Sequence, residues 1–176
     1  MPGHVFVDES KRRDFILVAA AVPSTALGNA RQQIRALHLP QQRGIHMVKE
    51  SEGRQRRILA VIASLEAEVT VYVATKGTYT AERYARKRCL NELLRDIARE
   101  GCSTLCLERD DTVAADDRRT IGRQLRAVGY QDSLTYSHSK VWSEPLLLIP
   151  DAIAWAWPQK SWKQSCVRLV NEVREV

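Results

Sequence analysis

The segment His-Val-Phe-Val-Asp-Glu-Ser, residues 4–10, decides how this chain is interpreted. It begins as a short run of β-branched and aromatic residues, which is typical of a buried strand. The run ends in two carboxylates, Asp8 and Glu9, and carboxylates are costly inside a core unless a positive group lies beside them. Acids at the tip of a core strand are therefore candidate ligands for a hard cation such as Mg²⁺ or Mn²⁺. The alternative is a solvated turn, since acids are common turn residues.

A charged turn at 11–14 separates this strand from a second apolar run, 15–22, that stops at Pro23. So short a link permits a hairpin and excludes a helical crossover, which needs a dozen residues or more. The first two strands are therefore predicted to be antiparallel neighbours. The near-continuous hydrophobicity of the second run indicates a strand that is covered on both faces.

The rest of the chain alternates between helical and strand patterns. Helices are predicted at 25–39, 54–66, 80–99, 116–128, 144–157 and 161–176, and further strands at 68–75, 103–108 and 133–137. The segment 45–50 is either a brief strand or the entry to a helix. Because helical crossovers join the later strands, we expect these to be parallel to their neighbours. The expected fold is one α/β domain over residues 1–176, with a mixed sheet and helices on both faces.

Composition restricts the possible functions of this chain less than the motifs do. The chain has 176 residues, a net charge of +6 and a pI of about 9.4. A basic protein favours anionic partners, nucleic acid first among them. No apolar run reaches the length that spans a membrane, and no signal peptide is visible, so we expect a cytoplasmic protein without a membrane partner. The oligomeric state is left open.

Further acids lie at two other points of the chain. Glu108, Asp110 and Asp111 follow the 103–108 strand, and Asp151 lies within the apolar helix 144–157. Asp151 has the alternative of a helix that opens at Pro150, whose first turn would favour an acid. If the strand tips are neighbours and the late helix packs across them, the carboxylates converge. Two divalent ions about 4 Å apart would then neutralise them and clamp a phosphodiester.

The order of these segments resembles the DUF3800 family. The resemblance lies in Asp-Glu-Ser on the first strand, the apolar second strand, the segment Ile-His-Met-Val-Lys-Glu at 45–50 before a basic helix, and the late helix that carries Asp151. It implies a ribonuclease H-like fold and a metal-dependent nuclease that cleaves RNA or DNA by a two-metal-ion mechanism, with Mg²⁺ or Mn²⁺. The chain departs from the family pattern at Lys11, where Gly is common, and at Ile149-Pro150, before the aspartate.

The resemblance also implies roles for individual residues. Asp8 and Asp151 are the firmest metal ligands and catalytic acids. The adjacent strand would supply Asp110, with Glu108 as the next candidate because strand alternation places both on the same side, and with Asp111 as a further possibility. The remaining candidates are Glu50 as the helical acid, His46 as a catalytic or structural imidazole, and Lys49, Arg54 and Arg57 as substrate-binding groups.

Two basic clusters fit phosphate contacts, one at Arg54, Arg56 and Arg57 and one at 83–88. For any single cluster, however, a solvated helix face is the more common explanation. Two other functions stay open at this point. A PIN-like ribonuclease also gathers acids at strand tips, although its all-parallel sheet disagrees with the hairpin. A non-catalytic module that binds nucleic acid or a protein partner could keep the same fold.

Overall fold

The computed structural model describes residues 3–176. The strands are β1 (Gly3–Ser10), β2 (Phe15–Pro23), β3 (Glu68–Ala74), β4 (Thr104–Glu108), β5 (Thr135–Ser139) and β6 (Glu172–Glu175). The α-helices are α1 (Leu27–Arg35), α2 (Glu52–Ala63), α3 (Glu82–Glu100), α4 (Ala114–Ala127), α5 (Leu148–Ala156) and α6 (Lys160–Val167). Short 3₁₀ turns precede α2 and α5, at Met47–Lys49 and Pro145–Leu147.

The strands form one mixed sheet in the order β5-β4-β1-β2-β3-β6. The predicted hairpin is confirmed, since β1 and β2 pair antiparallel, and β4, β5 and β6 are each parallel to the strand they join. For β3 the prediction is correct on one side only, because β3 pairs parallel with β6 but antiparallel with β2. Two helices, α1 and α2, lie between β2 and β3 in the chain. Two passes along the sheet bring the chain back to the end where β2 finishes, so β3 starts there and runs antiparallel to β2. This mixed sheet also departs from the all-parallel sheet expected of a PIN-like ribonuclease.

The sheet lies between two helical layers, and strand alternation assigns each residue of β1 to one of them. Phe6 packs into a core with α1, α2 and α5, whereas Val5 and Val7 pack into a second core with α3 and α4. Asp8 therefore faces the α5 layer, and Glu9 faces the α3–α4 layer.

Two helix predictions need correction at their ends. The first helix is predicted from residue 25, but α1 begins at Leu27, after a turn in which the N–H of Ala26 donates to the carbonyl of Pro23. The final helix was expected to run over 161–176, but α6 ends at Val167 and the chain continues as β6. The open edge of β3 decides this difference, because unpaired strand groups there accept another strand.

The remaining elements lie close to their predicted positions. The strand predicted at 133–137 is shifted by two residues to β5, and the segment 45–50 becomes a 3₁₀ turn. Within residues 3–176, no helix is long and apolar enough to cross a membrane.

Gly101 ends α3 in the left-handed conformation, with φ of 73°, as its position after the helix predicted. We expect Gly101→Ala to lower the free energy of unfolding by about 1–2 kcal/mol, because a Cβ clashes in this conformation. The matched control is Gly53→Ala, since Gly53 lies in the first turn of α2 with open space around it. That variant should gain about 0.4–1 kcal/mol from reduced chain entropy. Urea denaturation measures both, and equal effects of the two variants would contradict the assignment.

Candidate active site

Two carboxyl groups from distant parts of the chain meet at the end of β1. The carboxyl groups of Asp8 and Asp151 lie close enough to each other for each to change the pKa of the other. Asp8 also accepts the N–H of Glu9 at 2.8 Å, and Asp151 accepts the N–H of Met47 at 3.0 Å. The second bond ties the 3₁₀ turn at Met47–Lys49 to the first turn of α5, across 104 residues of sequence.

The pKa values of both groups are raised. Burial raises the pKa of Asp8 well above its usual range, and the charges of Asp151, Glu9 and Glu108 raise it further. Burial also raises the pKa of Asp151, and the Met47 N–H and the charge of His46 oppose this only in part. The pair is therefore a site of concentrated negative charge that folding leaves without an adequate positive partner.

Glu108 is the third acid at this point. Val7 of β1 and Leu107 of β4 are register partners, and Asp8 and Glu108 come immediately after them. Burial raises the pKa of Glu108 to about 7, against the charge of Lys140, whose Nζ lies 3.8 Å from its carboxylate. The charges of Asp151 and Glu9 raise this pKa further. Glu108 is therefore electrostatically part of the group formed by Asp8 and Asp151.

An open cleft of about 370 Å³ lies against two of these acids, Asp8 and Glu108. Its lining residues are Asp8, Glu9, Ser10, Lys11, Glu108 and Asp110. It lies at the carboxyl ends of the parallel strands β1 and β4, where ligands bind in sheets of this type. A larger cavity of about 610 Å³ lies elsewhere, but the cleft is the one that joins the tips of these two strands.

Asp110 and Asp111 differ from Glu108 in their surroundings. The strand β4 ends at Glu108, so the alternation that was expected to align Asp110 with Glu108 stops short of it. Asp110 lines the cleft, but its Oδ1 accepts the N–H and hydroxyl of Thr112, which lower its pKa. Asp111 is exposed and pairs with Arg109 at 2.8 Å. Of the three acids after β4, the structure couples Glu108 to the Asp8–Asp151 pair.

The candidates around residue 50 divide into two groups. His46 lies near enough to Asp151 for its charge to act on that carboxyl. Glu50 is bound instead by Arg54 and by Gln42, whose amide donates at 2.6 Å. Arg54 also donates to the carbonyl of Leu37, so its guanidinium holds the loop before α2 together. The other two substrate-binding candidates, Lys49 and Arg57, are exposed at the surface.

A buried ion network behind the cleft was not predicted. Arg86 of α3 makes a two-pronged contact with Asp117 of α4, at 2.7 and 2.8 Å, and also binds Glu9. His138 of β5 approaches the same Asp117 oxygen at 3.2 Å. Burial would raise the pKa of Asp117, but the hydrogen bonds from Arg86 and His138 outweigh it and the pKa is lowered. His138 itself lies in strand β5.

Part of this network carried a signal in the sequence. Alternation along β1 sends Glu9 to the face opposite Asp8, where a buried acid requires a cation. Arg86 stood in a basic cluster and Asp117 in the first turn of a predicted helix. Nothing in the spacing, however, distinguished Arg86, which is 4% exposed, from its solvated neighbours.

The geometry allows a direct test for a metal-binding group. Among the described residues, no group of three or more His, Cys, Asp or Glu side chains is arranged to hold a metal ion. The contact that the structure shows is the pair of Asp8 and Asp151, with Glu108 as a charged neighbour.

Comparison with known proteins identifies the fold. The chain matches no protein-family model and no curated protein sequence. It does match a solved structure described as the PCNA:RNase HII complex from Archaeoglobus fulgidus, with a TM-score of 0.58 and 14% identity, over 96% of this chain and 76% of that chain. The fold is therefore ribonuclease H-like, as predicted. At this identity the likeness extends to the fold and not to the activity.

The buried network predicts that replacing Arg86 lowers the stability of the protein far more than replacing an exposed arginine of α3 does. Arg86→Met leaves Asp117 and Glu9 without their cation, so we expect the free energy of unfolding to fall by about 3–5 kcal/mol. Arg83→Met, three residues earlier and exposed, should change it by less than about 0.5 kcal/mol. Chemical denaturation of both variants tests this, and similar losses would show that Arg86 is not a structural cation.

The carboxyl cluster predicts that the metal-free protein loses stability as pH rises. The folded pKa values of Asp8 and Glu108 lie above their unfolded values, so their contribution is complete below about pH 4 and is lost as pH rises through the folded values, about 7 for Glu108. Asp8→Asn should flatten this decline and stabilise the protein at pH 8 by about 1 kcal/mol.

This prediction is measured as the urea midpoint in chelator at pH 5 and pH 8. Asp111→Asn removes an equal charge from an exposed position near the cleft and should keep the wild-type pH dependence. Parallel curves for wild type and Asp8→Asn would contradict the raised pKa of Asp8.

Proposed function

We propose that this protein is a metal-dependent nuclease that hydrolyses phosphodiester bonds in RNA or DNA. The observation that carries the proposal is the proximity of Asp8 and Asp151, two carboxyl groups with raised pKa values, beside an open cleft that Asp8 lines. The ribonuclease H-like fold, the position at the ends of β1 and β4, the net charge of +6 and the resemblance to the DUF3800 family support it.

The donor set fits Mg²⁺ or Mn²⁺. Both ions prefer oxygen ligands, and Mg²⁺ is commonly held by one or two carboxylates, with water and substrate phosphate completing its shell. Asp8 and Asp151 would hold the ion, with Glu108 as a further carboxylate beside them. A bound divalent ion would supply an activated water and stabilise the charge that develops on the phosphate.

The chain's own groups would position the substrate and handle protons. His46 lies beside Asp151 and can hold or accept a proton at an imidazole nitrogen. Lys11 lies 3.6 Å from Glu9 and Lys140 lies 3.8 Å from Glu108, so both ammonium groups border the acids. They reduce the repulsion that an incoming phosphate meets in a cleft lined by carboxylates.

The alternative function is a non-catalytic nucleic-acid-binding module. Lys11 and Lys140, the cations beside the cleft, would support nucleic-acid binding equally well, because phosphate binding needs no hydrolysis. Cleavage is therefore the property that distinguishes the nuclease from the binding module. Metal binding would tell whether Asp8 and Asp151 can hold an ion.

We expect the wild-type protein to cleave labelled RNA or DNA with Mg²⁺ or Mn²⁺ and not in chelator. Asp8→Asn and Asp151→Asn should each reduce the rate by at least about 100-fold, since even groups that only orient a metal ligand are worth roughly 10–100-fold. Glu108→Gln should reduce it as well. Asp111→Asn is the matched control and should retain full activity. Activity that survives the Asp8→Asn, Asp151→Asn double variant would refute the proposal.

Metal binding provides a readout that does not depend on turnover. At pH 8, Mg²⁺ or Mn²⁺ should raise the melting temperature of wild type and Asp111→Asn, and should leave Asp8→Asn unchanged. Calorimetric titration gives the stoichiometry, and the two-metal-ion form of the mechanism requires two ions per chain. Metal binding and nucleic-acid binding without cleavage would instead support the binding module.

A further inference from the structure

A basic groove lies between α3 and α4, beside the face of α3 that carries the buried network. It has a volume of about 260 Å³. Its side chains include Arg83, Tyr84 and Lys87 of α3, and Asp116, Arg119 and Arg123 of α4. All four basic residues are exposed, so none of them is held in the interior as Arg86 is.

The basic residues form two matching pairs. Arg83 and Lys87 are four residues apart on α3, and Arg119 and Arg123 are four residues apart on α4. Residues at this spacing lie on the same face of a helix, about 5–6 Å apart. The groove therefore carries a row of two cations along each wall, against the single carboxylate of Asp116, which pairs with Arg119.

The groove lies at the same end of the sheet as the acidic cleft. The helices α3 and α4 follow β3 and β4, so both helices begin at the end of the sheet where Asp8 and Glu108 lie. Lys11, which lines the cleft, lies 3.6 Å from Glu82, the residue before Arg83. Arg86 connects the same regions from below, since it joins Glu9 of the cleft to Asp117 of α4.

We propose that this groove binds the phosphate backbone of a nucleic-acid strand whose neighbouring segment lies in the cleft. The inference rests on the proposed function, because the cleft identifies the polyanion as nucleic acid. The rows of cations match an occupant with regularly repeated negative charges. Tyr84 supports a strand rather than an isolated anion, since it is 46% exposed among the basic residues and offers a ring for base stacking. Arg83 already lies over that ring, 4.9 Å from its centre.

The proposal is tested by binding of fluorescent 10- and 30-nucleotide RNA and DNA in chelator, so that no cleavage occurs. The test variant is R83Q/K87Q/R119Q/R123Q. The control, R35Q/R95Q/R126Q/R168Q, removes four exposed arginines outside the groove and gives the same net charge.

We expect the groove variant to bind the 30-nucleotide strand at least about tenfold more weakly than the control does. Its affinity should also depend less steeply on salt, by about 2–3 units in the slope of log affinity against log salt concentration, because each lost phosphate contact removes about 0.7. The 10-nucleotide strand offers fewer phosphates, so it should bind more weakly overall and show the same order of the two variants. Equal losses in the two quadruple variants would overturn the proposal, because the effect would then be one of net charge.

The two proposals fail in different ways. If wild type binds the strands and cleaves none with Mg²⁺ or Mn²⁺, the nuclease proposal is wrong and the groove variant still tests the groove. If wild type cleaves and the groove variant binds as the control does, the groove proposal alone is overturned.

Discussion

The alternation of side chains along β1 is the constraint on which the site depends. Successive residues of a strand face opposite sides of the sheet, so Asp8 and Glu9 enter different layers although they are neighbours in sequence. Each is a carboxylate at the border of a core, and each needs a compensating group. The group that lies beside the carboxylate differs between the two faces of the sheet. On one face Arg86 binds Glu9, whereas on the other Asp8 meets Asp151, another acid.

This difference separates a structural site from a functional one. Glu9 and Asp117 share the cation Arg86 in a cluster that joins α3 and α4 to the sheet, so here the protein itself supplies the cation. Asp8, Asp151 and Glu108 form a cluster whose cation would have to come from solution. Repulsion among these carboxylates lowers the stability of the fold. Such a loss of stability is common at sites that bind charged ligands.

Much of the fold was predictable because it depends on local rules. The four-residue turn after β1 allowed only a hairpin, and Gly101 marked the end of α3 through its freedom to adopt positive φ. Strand tips and an acid in an apolar helix pointed to Asp8 and Asp151. The choice between Glu108 and Asp110 was beyond such rules, because it depends on where β4 ends. The direction of β3 depends on the number of crossovers before it, and the end of α6 on the open edge of β3.

The amino-acid sequence by itself determined the mixed α/β architecture, the antiparallel hairpin and the presence of acids at the strand tips. These follow from periodicity, link length and the chemistry of short segments, which act within about a dozen residues. Only the tertiary structure decided which carboxylates meet, which arginine is buried and which basic helix faces share a groove. The contacts between Asp8 and Asp151 and between Arg86 and Asp117 join residues far apart in sequence, and the packing of helices on the sheet alone brings them together.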